Sequence, residues 1–284
     1  MKVKGTHVYN IQLGALSAKA VCAADDVHDQ STITACKNYG KLILRDISTD
    51  VGGGSCWNGY RQIGGLVGKN MGMIISDCEN HGDIILENMD CKTGLFYVAG
   101  IVGYNTNRLD SNATVSTCGL IQNCRNYGAI NAGQEAPITV YGLGLAGITG
   151  RMQWGLLDKC TNYGAINVKG VAYDAWGKTT NGVAYKAWDA QIKATTNSNA
   201  FFSVGGIFAF IQHNIATAAT FTELTNAGDI YVECDQPGTI TYADNAGVSV
   251  GGITGRTGAN AFNPHFDGCT NMGNITLKSN VATA

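Results

Sequence analysis

Cysteine is the residue type that most readily suggests chemistry in this chain, which contains 10 cysteines in 284 residues. Thiols bind zinc, form disulfides or act as nucleophiles, and each role needs a partner such as a second Cys or a His nearby. Leu224 replaces the thiol in one copy of the motif that carries half of the cysteines. This exchange favours buried packing over thiol chemistry, so we expect no metal site and no cofactor. The motif cysteines are Cys36, Cys78, Cys124, Cys160 and Cys269.

Carboxylates and imidazoles are the other side chains with catalytic potential. Enzymes that cleave glycosidic bonds use pairs of acidic side chains, but the acidic residues here do not recur as a set. The five histidines are scattered, and His81 takes a position at which sibling motifs have tyrosine. We therefore expect no enzymatic activity, with a β-helical polysaccharide lyase or hydrolase as the alternative. The acidic candidates for that alternative are Asp77, Asp83, Asp229 and Glu233.

Aromatic residues form a third candidate group, which lies in an insertion at residues 167–203. This segment contains two closely similar heptapeptides, residues 170–176 and 182–188, joined by a short stretch with glycines at both ends. The pattern predicts a hairpin, whose rings suit stacking on sugars or anchoring a protein partner. The alternative is a hairpin that folds back as a lid. The candidate ligand-binding residues are Tyr173, Trp176, Tyr185 and Trp188.

The elements that position these residues are repeats. A heptapeptide with the pattern Cys-x-Asn-x-Gly-x-Ile occurs six times, and Asn and Gly are present in every copy. We expect the Asn amide to lie at a bend and to bond both the backbone and the next Asn. The Gly supplies a positive φ or a close approach between repeats, and the final Ile or Leu returns to the core. The asparagines are Asn38, Asn80, Asn126, Asn162, Asn226 and Asn271.

A second signature, Gly-Gly-Ile-x-Gly after an apolar residue, precedes the heptapeptides, with a weaker first copy that begins at Leu13. Unequal stretches of chain separate the copies, which indicates a constant core with loops of variable length. Together the two signatures define six repeats, at residues 13–42, 63–84, 98–130, 145–166, 204–230 and 250–275.

The motifs alternate apolar with small or polar residues, which is the period of a β-strand. Stacked copies of one short unit predict a solenoid, and 38 glycines against 3 prolines fit its many turns. We expect an all-β, right-handed parallel β-helix of about six irregular coils with variable loops. It forms a single β-solenoid domain over residues 1–284, with the aromatic hairpin inserted. The Cys and Asn positions then form ladders along the axis, with the thiols inside.

The two signatures together resemble the GLUG-motif repeats of bacterial secreted and cell-surface proteins, over residues 13–277. Departures such as Leu224 for Cys and Ala209 for Gly preserve an apolar or small side chain. The resemblance implies an adhesin-like module, extracellular or at the cell surface, that presents loops to a glycan or protein ligand. A virion fibre or tail component is the alternative.

Charge and hydropathy narrow the classes of partner. A net charge of -2 gives no attraction to nucleic acid. No apolar run reaches the roughly 18 residues that insertion into a membrane requires. Lys2 and Lys4 precede an apolar stretch, but Gln12 and Lys19 interrupt it, so we expect any secretion signal to lie outside this sequence. Open sheet edges are compatible with end-to-end or trimeric assembly, and we expect a longer protein or a partner to cover the end.

Overall fold

The computed structural model describes residues 11–22, 30–49, 60–109, 115–136, 138–172, 202–212, 219–236, 248–258 and 264–281. Every regular element in these ranges is a β-strand. No helix among them is long and apolar enough to cross a membrane. The strands are β1 (Ile11–Gly14), β2 (Ser17–Val21), β3 (Thr32–Thr34), β4 (Lys37–Asn38), β5 (Leu42–Thr49), β6 (Tyr60–Gly64), β7 (Val67–Met71), β8 (Ile74–Ser76), β9 (Glu79–Asn80), β10 (Ile84–Ala99), β11 (Val102–Thr106), β12 (Arg108–Leu109), β13 (Val115–Thr117), β14 (Leu120–Gln122), β15 (Arg125–Asn126), β16 (Ile130–Ala132), β17 (Ile138–Ala146), β18 (Thr149–Gln153), β19 (Leu156–Asp158), β20 (Thr161–Asn162), β21 (Ile166–Ala172), β22 (Phe202–Gly205), β23 (Phe208–Ile211), β24 (Thr220–Thr222), β25 (Thr225–Asn226), β26 (Ile230–Gln236), β27 (Val248–Gly251), β28 (Thr254–Thr257), β29 (His265–Asp267), β30 (Thr270–Asn271) and β31 (Ile275–Val281).

The strands stack as six coils. Three 6-stranded parallel sheets each take one strand from every coil, in the orders β2-β7-β11-β18-β23-β28, β3-β8-β14-β19-β24-β29 and β4-β9-β15-β20-β25-β30. A fourth, 11-stranded sheet contains the strands that end one coil and the strands that begin the next. Within it, β10 and β17 each pair with strands of both kinds. The predicted parallel β-helix is therefore confirmed, while its right hand stays a prediction. The β12–β13 pair is antiparallel and lies outside these sheets.

Two apolar clusters run along the axis inside the coils. The first is formed by side chains of the 11-stranded sheet and contains Ile63 and Ile84. The second contains Leu66 and the thiol of Cys78. The signature's apolar residues and the last residue of the heptapeptide thus supply the core, because stacking in register places each above its copy.

In each coil, the residue directly before the Cys position has a positive φ. The left-handed backbone conformation costs little free energy for Gly and more for L-residues. The heptapeptide glycine, to which sequence allowed either role, serves close approach instead. A Cβ added to Gly82 would overlap the Gly40 carbonyl oxygen of the coil below. The positive-φ residues are Ala35, Asp77, Asn123, Lys159, Glu223 and Gly268.

The aromatic insertion is shorter in the structure than its predicted bounds of 167–203. Its first residues belong to β21 and its last to β22, and the side chains of Val168 and Phe202 are buried in the core. The four aromatic residues proposed there as ligand-binding, Tyr173, Trp176, Tyr185 and Trp188, lie outside the described residues.

Candidate functional site

The asparagine ladder forms the corner that the heptapeptides share. The Asn126 side-chain Nδ2 donates to Oδ1 of Asn162 in the next coil at 2.8 Å and to the Gly128 carbonyl at 2.9 Å. Its own Oδ1 accepts from Asn80 at 2.8 Å. The same pattern links every asparagine of the motif from Asn38 to Asn271. These amides satisfy backbone and one another, so the ladder holds the corner and leaves no group aimed at a ligand.

The motif thiols line the interior beside that ladder. Cys78, Cys124 and Cys160 are fully buried, and Cys36 and Cys269, in the outermost coils, are partly exposed. A hydrogen bond to the next thiol of the column and burial raise the pKa of Cys78, and a hydrogen bond to Cys160 together with burial raises the pKa of Cys124. Thiols held neutral are poor nucleophiles and ligands. Among the described residues, all seven cysteines are free and no cluster of metal-ligating side chains occurs.

An exposed column of rings, the aromatic ladder, lies on the outside of the same corner. Tyr39, His81, Tyr127 and Tyr163 occupy the residue after the asparagine in coils 1 to 4. Successive ring centroids are 4.7, 4.6 and 4.9 Å apart, with interplanar angles of 16°, 10° and 4°. The three tyrosines are 70, 41 and 46% exposed. His81 is therefore a member of a stack and does not stand as an isolated base.

The ladder ends at Tyr163 for a simple steric reason. Ala227 takes the equivalent position in coil 5, and a methyl group cannot cover the Tyr163 ring. Within the described residues, the inner faces of the stack are covered by neighbouring rings. The column therefore offers ring edges, hydroxyl groups and two terminal faces.

Charged side chains border the aromatic ladder. Glu79 lies 2.9 Å from Lys37 Nζ, 2.8 Å from His81 Nε2 and 3.6 Å from Arg125 Nη1. Hydrogen bonds from Lys37 and His81 lower the pKa of Glu79 to about 2. The exposed rings thus stand beside a row of paired charges from three successive coils, a mixture typical of surfaces that bind partners.

The acidic residues considered for catalysis do not assemble into a pair across coils. Asp83 and Asp229 share one register but are three coils apart, about 14 Å at the spacing of β-strands. Glycosidase carboxyl pairs are about 5–9.5 Å apart. Asp83 and Asp229 also bond to backbone amides of the next coil, and Glu233 accepts from the Tyr231 hydroxyl at 2.5 Å. Asp77 is the exposed left-handed residue of its corner.

The structure also brings together a set of residues that motif analysis did not single out. A cavity of about 830 Å³, the basic cleft, opens beside the signatures. Four of its residues stand at one register on β2, β7, β11 and β18, directly after the last residue of the signature. The position directly after the signature could have indicated this set in the sequence, but the side chains at that position differ from coil to coil. The lining residues are Gln12, Ala18, Lys19, Gln62, Lys69, Tyr104, Arg151 and Gln153.

Cations and an aromatic ring alternate within the basic cleft. The Tyr104 ring lies between Lys69 Nζ, 5.1 Å from its centroid, and Arg151 Cζ at 4.8 Å. The Tyr104 hydroxyl donates to Gln153, and the Arg151 guanidinium donates to Gln212. Burial, together with the charges of Lys19 and Arg151, lowers the pKa of Lys69. The cleft therefore concentrates positive charge that is partly withdrawn from water.

Comparison with known proteins identifies one motif in this architecture. Residues 59–85 match the family model of the GLUG motif. No curated protein and no solved structure gave a significant match to the chain. The matched segment contains the second copy of the Gly-Gly signature and the heptapeptide that begins at Cys78. The chain is a β-helical repeat protein of the parallel type, and its second coil carries a GLUG motif.

Proposed function

We propose that the protein is a rigid, non-catalytic module of a bacterial surface or secreted protein that presents side chains and loops to a glycan or protein ligand. The observation that carries the proposal is the aromatic ladder. An exposed column of four stacked rings spans four coils next to paired charges.

Exposed aromatic rings in a fixed array suit recognition. Tyrosine presents a large apolar surface with a hydroxyl at its tip, and it loses little conformational entropy on binding. The stack fixes its rings in advance, which lowers the entropic cost of binding further. In the part of the chain that the structure describes, no further ring covers the outer faces of Tyr39 and Tyr163, so they are available to sugar rings or apolar side chains, and the Tyr127 edge lies between them.

If the aromatic ladder serves only to stabilise its corner, tyrosine variants should lose stability but keep their affinity for a ligand. Aromatic pairs contribute about 0.5–1.5 kcal/mol each beyond their burial, so the ladder also stabilises the corner. The two roles separate when stability and binding are measured on the same variants.

The experiment is a binding screen of the full chain against neutral and acidic polysaccharides and against host-surface proteins. Tyr127→Ala and Tyr163→Ala should weaken binding of the ligand so found by at least about tenfold, as expected for aromatic anchors. Leu156→Ala, which removes an exposed apolar side chain from the β19 face, is the matched control and should leave binding unchanged. Tyrosine variants that lose stability but keep full affinity would refute the proposal.

Assembly and product formation provide further checks. A surface module should elute as a monomer in chromatography with light scattering, whereas a stable trimer would favour a virion fibre. Release of products from any polysaccharide in the screen would contradict the non-catalytic role and favour a lyase or hydrolase.

A further inference from the structure

We propose that Cys36 and Cys78 form a disulfide between coils 1 and 2 when the protein meets a small-molecule disulfide such as oxidised glutathione. Both thiols are free in the structure. An oxidising compartment, in which disulfides form and persist, supplies reagents of this class. The cysteine pair is a modification site, separate from the surface proposed to bind a ligand.

The two cysteines lie opposite each other in adjacent coils. Strands β4 and β9 pair in register from the next residue onward, and the Glu79 amide donates to the Cys36 carbonyl at 2.9 Å. The Cys36 amide donates to the Cys78 Sγ at 3.4 Å, and the two thiols share a hydrogen bond. Neighbouring strands are about 4.7–4.9 Å apart, and disulfides join residues whose Cα atoms are about 4.4–6.8 Å apart. The spacing of the coils therefore suits a disulfide at this position.

Access to solvent distinguishes Cys36 from the rest of the thiol column. Cys78, Cys124 and Cys160 are fully buried, so a dissolved oxidant does not reach them directly. Cys36 is partly exposed, because the strands of coil 1 lie at one end of the sheets. Of the five motif cysteines, it alone combines partial exposure with a neighbouring thiol.

Cys269, at the opposite end of the column, provides an internal comparison. It is also partly exposed, but its neighbour in coil 5 is Leu224, whose carbonyl accepts from the Thr270 amide at 2.8 Å. A leucine side chain has no sulfur to which a bond can be transferred. We therefore expect Cys269 to react with the oxidant and to stop at that stage.

The reaction consists of two thiol–disulfide exchanges. The Cys36 thiolate attacks one sulfur of oxidised glutathione, whose S–S bond breaks and releases one glutathione thiolate. The Cys78 thiolate then attacks the Cys36 sulfur, which displaces the second glutathione and forms the bond between the coils. Two protein thiols are oxidised and one glutathione disulfide is reduced to two thiols, which take up the two protons. Contact between the two cysteines favours the second exchange over reaction with a dissolved thiol.

The rate of this reaction should depend on pH. Burial and the neighbouring Cys78 raise the pKa of Cys36, so little thiolate is present near neutral pH. The thiolate fraction increases as pH rises. Cross-linking should therefore be slow at neutral pH and faster at mildly alkaline pH.

The test incubates the folded full chain with oxidised glutathione at mildly alkaline pH, alkylates the remaining thiols and maps every cysteine by peptide mass spectrometry. Cys36 and Cys78 should be recovered as linked peptides that have lost two hydrogen atoms, whereas Cys269 should carry one glutathione. The link joins residues 42 positions apart and restricts the unfolded chain. The cross-linked protein should therefore unfold at a higher urea concentration than the reduced protein.

Two variants exchange the behaviour of the two ends of the column. Cys78→Ala should leave Cys36 with glutathione attached. Leu224→Cys supplies the neighbour that Cys269 lacks and should convert its glutathione adduct into a link with residue 224. Circular dichroism checks that each variant is folded, and the unchanged protein tests the inference by itself. Failure of the unchanged protein to link Cys36 to Cys78 would overturn the inference, as would a folded Leu224→Cys variant in which Cys269 keeps its glutathione.

Discussion

The asparagine of the heptapeptide joins sequence and structure at the scale of single residues. Asn is present in all six copies, and the need for a side chain that both donates and accepts was apparent from the motif. In the structure the Asn126 amide closes its own turn and bonds the asparagines above and below. The role of this asparagine was predictable because its short amide side chain, two residues from a bend, can donate and accept hydrogen bonds at once.

Asn126→Ala should lower the free energy of unfolding by about 1–3 kcal/mol, because it strands the buried Oδ1 of Asn162 and removes an acceptor of Asn80. Asn271→Ala is the matched control. Asn271 is exposed in coil 6, and among the described residues its side chain donates to Gly273 and accepts from Asn226, so its replacement should cost less. Urea titration followed by circular dichroism measures both. Equal costs would show that the ladder does not depend on burial.

Because of Glu79, we expect the free energy of unfolding to fall as the pH is lowered. Its pKa is about 2 in the folded protein, against an ordinary value of 4.5. Above pH 4.5 the carboxylate is ionised in both states and its bonds to Lys37 and His81 contribute in full. Between pH 4.5 and 2 the unfolded chain takes up a proton first, so this contribution is lost as pH falls.

Glu79→Gln should therefore lose less stability than the unchanged protein between pH 6 and pH 3, as measured by the midpoint of urea unfolding at each pH. Glu223→Gln makes the same change of charge on an exposed side chain, 3.9 Å from Lys159. It should track the unchanged protein. Parallel losses in the Glu79 and Glu223 variants would exclude Glu79 as the source of the acid dependence.

At the scale of elements, the strands could be predicted from the alternation of apolar and polar residues. The left-handed residue before each Cys position could not. The residue with positive φ before each Cys is Ala, Asp, Asn, Lys, Glu or Gly, and these types share no chemistry that a motif search detects. Contacts between coils fix this backbone conformation in coils 1 to 5, because the amide of the left-handed residue donates to a carbonyl of the next coil, as Asp77 does to Gln122. Tertiary contacts therefore override the local preference for glycine at this turn.

Gly82→Ala should destabilise the protein strongly, by about 3 kcal/mol, since its methyl group would overlap the Gly40 carbonyl oxygen and backbone atoms yield little. Gly40→Ala changes the same position of the motif in coil 1. There the nearest atom to the new methyl group is Asn38 Oδ1 at 3.5 Å, an ordinary contact. We expect its melting temperature to stay close to that of the unchanged protein. Similar losses in both variants would contradict the role of close approach between coils.

At the scale of the whole molecule, the number of coils could be read from the repeats, whereas the basic cleft could not. Lys69, Tyr104 and Arg151 are separated in sequence by 35 and 47 residues, and they meet because the Gly-Gly signature sets one register for all coils. Their side chains differ, so no repeated letter marks the site. A solenoid thus keeps its framework in the repeated positions, while the residues between them are free to vary.

Stability should vary along the axis, since each coil of a solenoid contacts its neighbours only. Ile130 and Ile166 are fully buried between coils, whereas the equivalent Ile275 of coil 6 is 44% exposed and Leu277 is 48% exposed. Native-state hydrogen exchange measured by mass spectrometry should therefore show slower exchange in peptides from residues 115–172 than in peptides from 264–281, after correction for intrinsic rates. Salt, which screens exposed charges, should leave this order unchanged because it arises from apolar burial. Uniform protection would mean that another surface covers coil 6, and the gradient should then appear only once that contact is broken by dilution.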